Sequence, residues 1–363
     1  MLQFKNTSDN APQGHVTGTK CRPGITAAFE GHWEGNTTLW PLIRLVGENA
    51  LEGKSKELQQ RQAISYLHFL LLARPDRQVC QGILIISDGI WFLFGIGGVG
   101  IRALFVRWTD KDLDKLMHAF IYRVYDPEHF ADAAYTDSVP DLSDNTVKFT
   151  VRMTLPRTTA DAEENPIDCP GFSPVFASNP FGTRTHVLSN PFSQVQINGQ
   201  TFTVIKDQLC RRDDRFEEQT ILSHIHEPMR VPGVVEVLHS ETIETPLSVE
   251  KQKQRLVLRQ SGTRFLNIQT LRKMLEVLFD VLEGMLIHIG SPSVLTFISV
   301  LRYLRLERRV LHRDISKGNI LYVEQPSNSA ASLYPGIKGE SICFIRHLLG
   351  ERYIQLSRGR MRS

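Results

Sequence analysis

Two β-prone runs, Phe192 to Ile197 and Thr201 to Lys206, meet at Asn198-Gly199, and no other feature restricts the fold of this chain as much. Asn-Gly readily takes the two positive φ values of a type I′ turn, so the runs are predicted to fold back on each other as a hairpin. Helical spacing follows from Asp214 to Ile225, with Phe216, Ile221, Leu222 and Ile225 on or near one face. Pro232-Gly233 then leads to strands at Val234 to Leu238 and Arg255 to Arg259. Strand, turn, strand, helix, strand, strand is the order of a small antiparallel sheet with one covering helix, and it predicts an α+β class.

The most specific chemistry lies further on, in Leu311-His312-Arg313-Asp314-Ile315-Ser316-Lys317-Gly318-Asn319-Ile320-Leu321. An Asp followed five residues later by Asn, with apolar flanks, suits phosphoryl transfer. Asp314 can accept a hydrogen bond from an attacking hydroxyl and orient it, and Asn319 can offer a neutral oxygen to Mg²⁺. His312 and Arg313 hold the loop by packing and hydrogen bonding. Upstream, Lys206 closes the apolar run Phe202-Thr203-Val204-Ile205 and can neutralise α and β phosphates in a cleft. Glu218, in Glu218-x-x-Ile221-Leu222, is the acid predicted to hold that lysine, with Glu217 ranked second. Before the hairpin, where a glycine-rich phosphate loop is expected, stands Phe181-Gly182-Thr183-Arg184-Thr185-His186-Val187, with Gly182 its one glycine.

Taken together, these residues resemble the fungal-type protein kinase family, a branch of the protein-kinase-like fold. The resemblance rests on His312-Arg313-Asp314-Ile315-Ser316 with Asn319-Ile320-Leu321, on Ile205-Lys206-Asp207, on Glu217-Glu218 before Ile221-Leu222, and on Ala73-Arg74-Pro75-Asp76 after the Ser65-Tyr66 helix. It spans about residues 55 to 350. It implies ATP-dependent, Mg²⁺-assisted phosphorylation of Ser or Thr in a protein substrate whose identity the sequence does not give. It also implies a two-lobed fold: a complete small lobe at 176–260, a partial large lobe at 261–363, and an N-terminal α/β region with its linker at 56–175. A loosely ordered lead-in is expected at 1–55.

The pattern is broken in places. Ser316 stands where ordinary kinases carry a Lys, as it tends to in this family. No Asp follows Asp314, although a second metal-holding Asp is required after the catalytic loop. No activation segment or substrate-binding helical half is recognisable, so the chain is expected to be truncated after the catalytic loop. The apolar stretch from Met285 to about Val300 interrupts a smooth helix, either as an insertion such as translated intron sequence or as a genuine extra helical turn or hairpin. Two rivals therefore stay open. One is a non-catalytic pseudokinase fragment acting as an interaction module; the other is a small-molecule phosphotransferase of the aminoglycoside or choline kinase type.

Composition narrows the field without choosing. Lys and Arg number 42 against 39 Asp and Glu, and no basic stripe interleaved with aromatics argues for nucleic acid. Five scattered cysteines with no CxxC pair predict free thiols in a reducing, intracellular compartment, cytoplasmic or nuclear, rather than a zinc site. The polar N-terminus lacks a signal-peptide core. Gly89 to Ile101 is too short to span a bilayer and reads as a buried strand pair. Met285 to Leu301 is broken by His288, Ser291 and Pro292, so no membrane partner is expected. In the N-terminal region a helix is predicted over Gln59 to Leu72, strands at Gly82–Ser87, Gly89–Gly95 and Ile101–Trp108, and a helix over Asp110 to Tyr125. Residues 131 to 180 read as a linker with one strand at Val147 to Leu155.

Overall fold

Helix α1 (Lys56–Ala73) begins where Ser55, in extended backbone, accepts the Leu58 amide on its hydroxyl. It ends at Arg74, which precedes Pro75 and is thereby biased out of helical conformation. Along it Ala63, Leu67, Leu70 and Leu71 recur on one buried face. Each fully buried leucine contributes about 1.5–3 kcal/mol. The computed structural model to which this helix belongs describes residues 1–50, 55–126, 138–143, 146–154, 166–213, 217–227, 235–243, 250–259, 263–264, 268–272, 274, 320–323 and 342–345.

The buried face of α1 rests on a six-stranded sheet in sequential order: β1 (Leu2–Asn6), β2 (Ile25–Phe29), β3 (Leu45–Asn49), β4 (Val79–Ile86), β5 (Gly89–Ile96) and β6 (Gly100–Arg107). Only β3 and β4 pair in parallel, as a β-α-β unit around α1. Strand alternation divides the core. Val46, Leu84 and Leu93 face α1, while Leu45, Ile83 and Phe92 face helix α2 (Leu113–Tyr125). The three predicted strands and α1 are present with ends shifted by a few residues, and Gly89 to Ile101 is a buried strand pair as expected. On α2 the inward face is Phe120 and Val124 with Leu113, Met117 and Ile121; Leu116, expected inward, is exposed. Residues 1–50 depart from the expected loose lead-in. They supply three of the six strands, because short strands set in polar surroundings gain their order from pairing partners outside the local sequence.

A second sheet of seven strands takes the remaining main strands: β7 (Ser138–Ser143), β8 (Thr146–Thr154), β9 (Pro166–Ala177), β10 (His186–Ser189), β13 (Val204–Arg211), β14 (Val237–Ile243) and β15 (Lys251–Leu258), ordered β14-β15-β13-β10-β9-β8-β7. Much of the expected linker is therefore sheet. A register shift where β8 meets β9, with Gly171 at φ +80, bends β9 there. The Asn198-Gly199 turn forms as predicted, with φ of +52 and +73, but it joins only β11 (Gln196–Ile197) to β12 (Gln200–Thr201). The strand that carries Lys206 pairs instead with β10, antiparallel, so the small hairpin is an excursion between β10 and β13. Of the expected first strand, Phe192 to Ile197, the end forms as β11, while Phe192 is an exposed turn residue.

Met1–Val195, Val204–Asp213 and His239–Leu256 form one compact unit. The N-terminal region and the sheet expected as a separate small lobe thus belong together, rather than dividing near residue 175. A second unit comprises Gln196–Thr203, Asp214–Leu238 and Val257–Ser363. It holds the small hairpin, helix α3 (Glu218–His226) and a three-stranded sheet of β16 (Thr263–Arg264), β17 (Ile320–Val323) and β18 (Ile342–Ile345). The molecule is mixed α+β. Among the described residues no helix is long and apolar enough to cross a membrane. Met285 to Leu301 lies outside them.

Charge is buried within the first unit. Arg255, at 0 % exposure, grips Asp207 through two bonds of 2.8 Å, and Lys253 adds a third at 2.9 Å. The same guanidinium reaches the Arg152 carbonyl at 2.8 Å and Glu241 at 3.1 Å, while Glu241 accepts the Thr154 amide at 2.9 Å. Four strands, β8, β13, β14 and β15, are tied by this cluster. Burial alone would raise the Asp207 pKa, but Arg255 and Lys253 hold it far below the usual carboxylate range. Substituting Asp207→Asn removes the carboxylate that two buried cations share. It is expected to cost about 3–5 kcal/mol in urea unfolding, and a loss within experimental error would contradict this account.

Candidate functional site

On β13, alternation places Lys206 and Asp207 on opposite faces. Asp207 turns to the Arg255 cluster, and Lys206 lies opposite Val187 of β10 at 1 % exposure. The lysine was expected to close an apolar hairpin strand; it stands instead third in β13, which continues through Asp207 to Arg211 and pairs with β10. On α3, Glu217 is the N-cap and Glu218 the first helical residue. Glu218 is 7 % exposed and shares the buried side of the helix with Ile221, Leu222 and Ile225, whereas Glu217 is only half-buried. An acid in the first turn is also favoured by the helix dipole. Lys206 belongs to the first compact unit and Glu218 to the second.

His312, Arg313, Asp314 and Asn319 lie outside the described residues. Their downstream flank is described: β17 starts at Ile320, directly after Asn319, and pairs antiparallel with β18, Ile320 facing Ile345. The short strand predicted after the loop is therefore present. In the sequence, β18 runs directly into Arg346-His347-Leu348.

The segment holding Gly182 does not have the build of a phosphate cradle. Such a cradle needs backbone N–H groups turned toward the ligand. Here the Phe181 amide donates to the Asn179 side chain at 3.1 Å, and the Gly182 and Arg184 amides both donate to the Asn179 carbonyl at 3.2 Å. The Thr185 amide donates to Ser178 Oγ at 2.8 Å. Gly182 is not in the left-handed region, and an added Cβ would meet nothing nearer than 3.7 Å. The assignment of Gly182 to cofactor binding therefore has no support in its geometry. The residue with an unusual backbone is Arg184, at φ +42.

Arg184 is also the residue that the sequence did not single out. It is 3 % exposed, and its Nη2 donates to the carbonyls of Arg74, at 2.9 Å, and Arg77. Two residues on, His186 donates through Nε2 to the Leu72 carbonyl at 3.2 Å. The Arg74-Pro75-Asp76 turn that receives them is itself locked: Arg74 holds Asp76 through bonds of 2.8 and 2.6 Å and donates to the Ile43 carbonyl. Burial raises the Asp76 pKa, but Arg74 outweighs it and leaves the group at about 2. Among the described residues no three His, Cys, Asp or Glu side chains converge as a metal-ligand set.

No protein-family model matches this chain, and no curated protein is significantly similar to it. The kinase-like reading therefore rests on the residues and the fold described above.

Two outcomes are expected. Gly182→Ala changes stability by no more than about 0.5 kcal/mol, as at an ordinary surface position, and calorimetry checks it. The second concerns His186, whose pKa burial pushes from 6.5 down to about 3, helped by the adjacent Arg184 cation. The unfolded chain then binds this proton first. The contribution is complete above about pH 6.5 and declines as the pH falls toward about 3, by at most about 1.4 kcal/mol per pH unit. Urea titrations between about pH 7 and pH 5 should show that decline in the wild type and a flatter one in His186→Gln; equal slopes would remove His186 from the account.

Proposed function

We propose that this chain carries a protein-kinase-like phosphotransferase domain related to the fungal-type protein kinases, using ATP and Mg²⁺ to phosphorylate Ser or Thr of a protein substrate. The observation that carries the reading is the setting of Lys206. It is buried on β13, an interior strand of the seven-stranded sheet, and the next helix, α3, buries Glu218 in its first turn. A lysine on an interior strand with a glutamate on the following helix is the kind of setting that phosphate recognition in this fold uses.

In this reading the Lys206 ammonium neutralises phosphate oxygens and Glu218 positions it. Asp314 orients the acceptor hydroxyl, His312 and Arg313 support the loop, and Asn319 offers an amide oxygen to metal. Bound Mg²⁺ supplies neutralisation of the charge on the transferring phosphoryl group.

A second reading, a non-catalytic module of the same fold, is favoured by two particulars. The amides of the 181–185 segment are committed within the protein, and Arg346-His347 follows β18 where a metal-binding Asp belongs.

Thermal shift with ATP, with and without Mg²⁺, tests the first reading, followed by transfer of a labelled γ phosphate. A nucleotide at a hundred times its Kd stabilises by about 2.7 kcal/mol. The wild type should show a shift of that order and Lys206→Met, which keeps the volume of the side chain, should not. Binding without transfer selects the module; equal shifts in both proteins remove Lys206 from the site.

A further inference from the structure

We propose that the N-terminal sheet acts as a brake on nucleotide entry, with Arg184 locking the 179–185 segment against the end of α1 and the β5–β6 turn; this rests on the kinase-like reading above. The segment is held on both its donor and its acceptor side. Four of its amides are turned inward to Asn179 and Ser178. Its carbonyls are taken as well: Pro180 by the Gly98 amide at 2.8 Å, Gly182 by Lys251 Nζ at 3.3 Å, and Thr183 by the Leu209 amide at 2.7 Å. Lys251 also donates to the Gly98 carbonyl, so one ammonium bridges the segment and the turn.

Arg184 is the centre of this arrangement. Its guanidinium donates to carbonyls just beyond α1, where the helix dipole favours a cation. Its side chain lies against Gly97 so closely that a Cβ there would stand 2.7 Å from Arg184 Cδ and nearer still to Nη1. Phe181 adds a ring contact to His68 of α1, with centroids 5.9 Å apart. Against these bonds stands the left-handed backbone of Arg184, unfavourable for any residue but glycine. In the brake this strained turn, held by side-chain bonds, has a second, released arrangement in which the Arg184 backbone leaves the left-handed region. Releasing Arg184 frees the Asn179 carbonyl and returns the Gly182 and Arg184 amides to a ligand.

The lock can be opened from either side, by Arg184→Ala or by Gly97→Ala. With a fluorescent ATP analogue as the probe, both variants should bind more tightly than the wild type by about tenfold or more, the factor expected if the lock leaves a tenth or less of the molecules competent. Hydrogen exchange on the wild type supplies a readout independent of the variants. The Gly98 amide, bonded to Pro180 in the locked form, should exchange faster when the analogue is bound. Equal affinities in wild type and variants overturn the brake while leaving the nucleotide site intact, as does unchanged Gly98 exchange in a protein that binds. Failure of wild type and folded variants alike to bind overturns the kinase-like reading and the brake with it. Should neither variant fold, the wild-type exchange measurement decides.

Discussion

A helix that ends inside a protein must find donors for its last carbonyls. In this chain α1 ends at Ala73 beside two sheets, and the Leu72, Arg74 and Arg77 carbonyls are met by His186 and Arg184 from the strand β10 and the segment before it. That requirement explains why the N-terminal region and the second sheet form one compact unit rather than two domains on a tether. It also explains the locked Arg74-Pro75-Asp76 turn. The Arg74–Asp76 pair and the Arg74 bond to the Ile43 carbonyl fix the turn whose carbonyls Arg184 uses.

The same economy of charge governs β13. Successive residues Lys206 and Asp207 are both buried, on opposite faces. Burying a charge is costly unless it is compensated. Asp207 meets that condition through Arg255 and Lys253, both on β15, so the strand that presents Lys206 is anchored by a bidentate ion pair on its other face. A carboxylate next to a buried lysine reads as a competitor for its charge; the alternation of the strand prevents that competition.

What the sequence made legible divides along the line between local and distant causes. Periodicity located α1, β4, β5 and β6 to within a few residues, because their patterns of burial are written in neighbouring positions. The Asn198-Gly199 turn was legible for the same reason: its two positive φ values follow from the dipeptide itself. What it connects was not, since β13 chooses β10 as partner through long-range pairing. β9 reads as a linker because it contains Pro166, Pro170, Gly171 and Pro174, yet a bulge accommodates the break. The strand expected at Arg255 to Arg259 begins earlier, at Lys251, and its polar residues Lys253, Gln254 and Arg255 are buried. Their acceptors are far away in sequence, and no local pattern announces them. Among the candidate site residues, Glu218 occupies the helix position expected of it, whereas Lys206 stands third in β13 rather than at the end of a hairpin strand. Gly182 has its amide committed to the Asn179 carbonyl, and Arg184 carried no signal beyond its place before a short apolar strand.

The energies involved place the 179–185 segment near balance. A hydrogen bond with a charged partner contributes about 1.5–3 kcal/mol, so the guanidinium bonds of Arg184 together exceed the roughly 1–2 kcal/mol by which a left-handed residue is disfavoured. The surplus is a few kcal/mol, the same order as the free energy a ligand supplies at a hundred times its Kd, about 2.7 kcal/mol. A lock much stronger would leave the segment permanently structural, and one much weaker would not order it. Because the Arg184 side chain fills the space that a Cβ at Gly97 would need, the balance is set jointly by two residues in the connections of two different sheets, Gly97 between β5 and β6 and Arg184 just before β10.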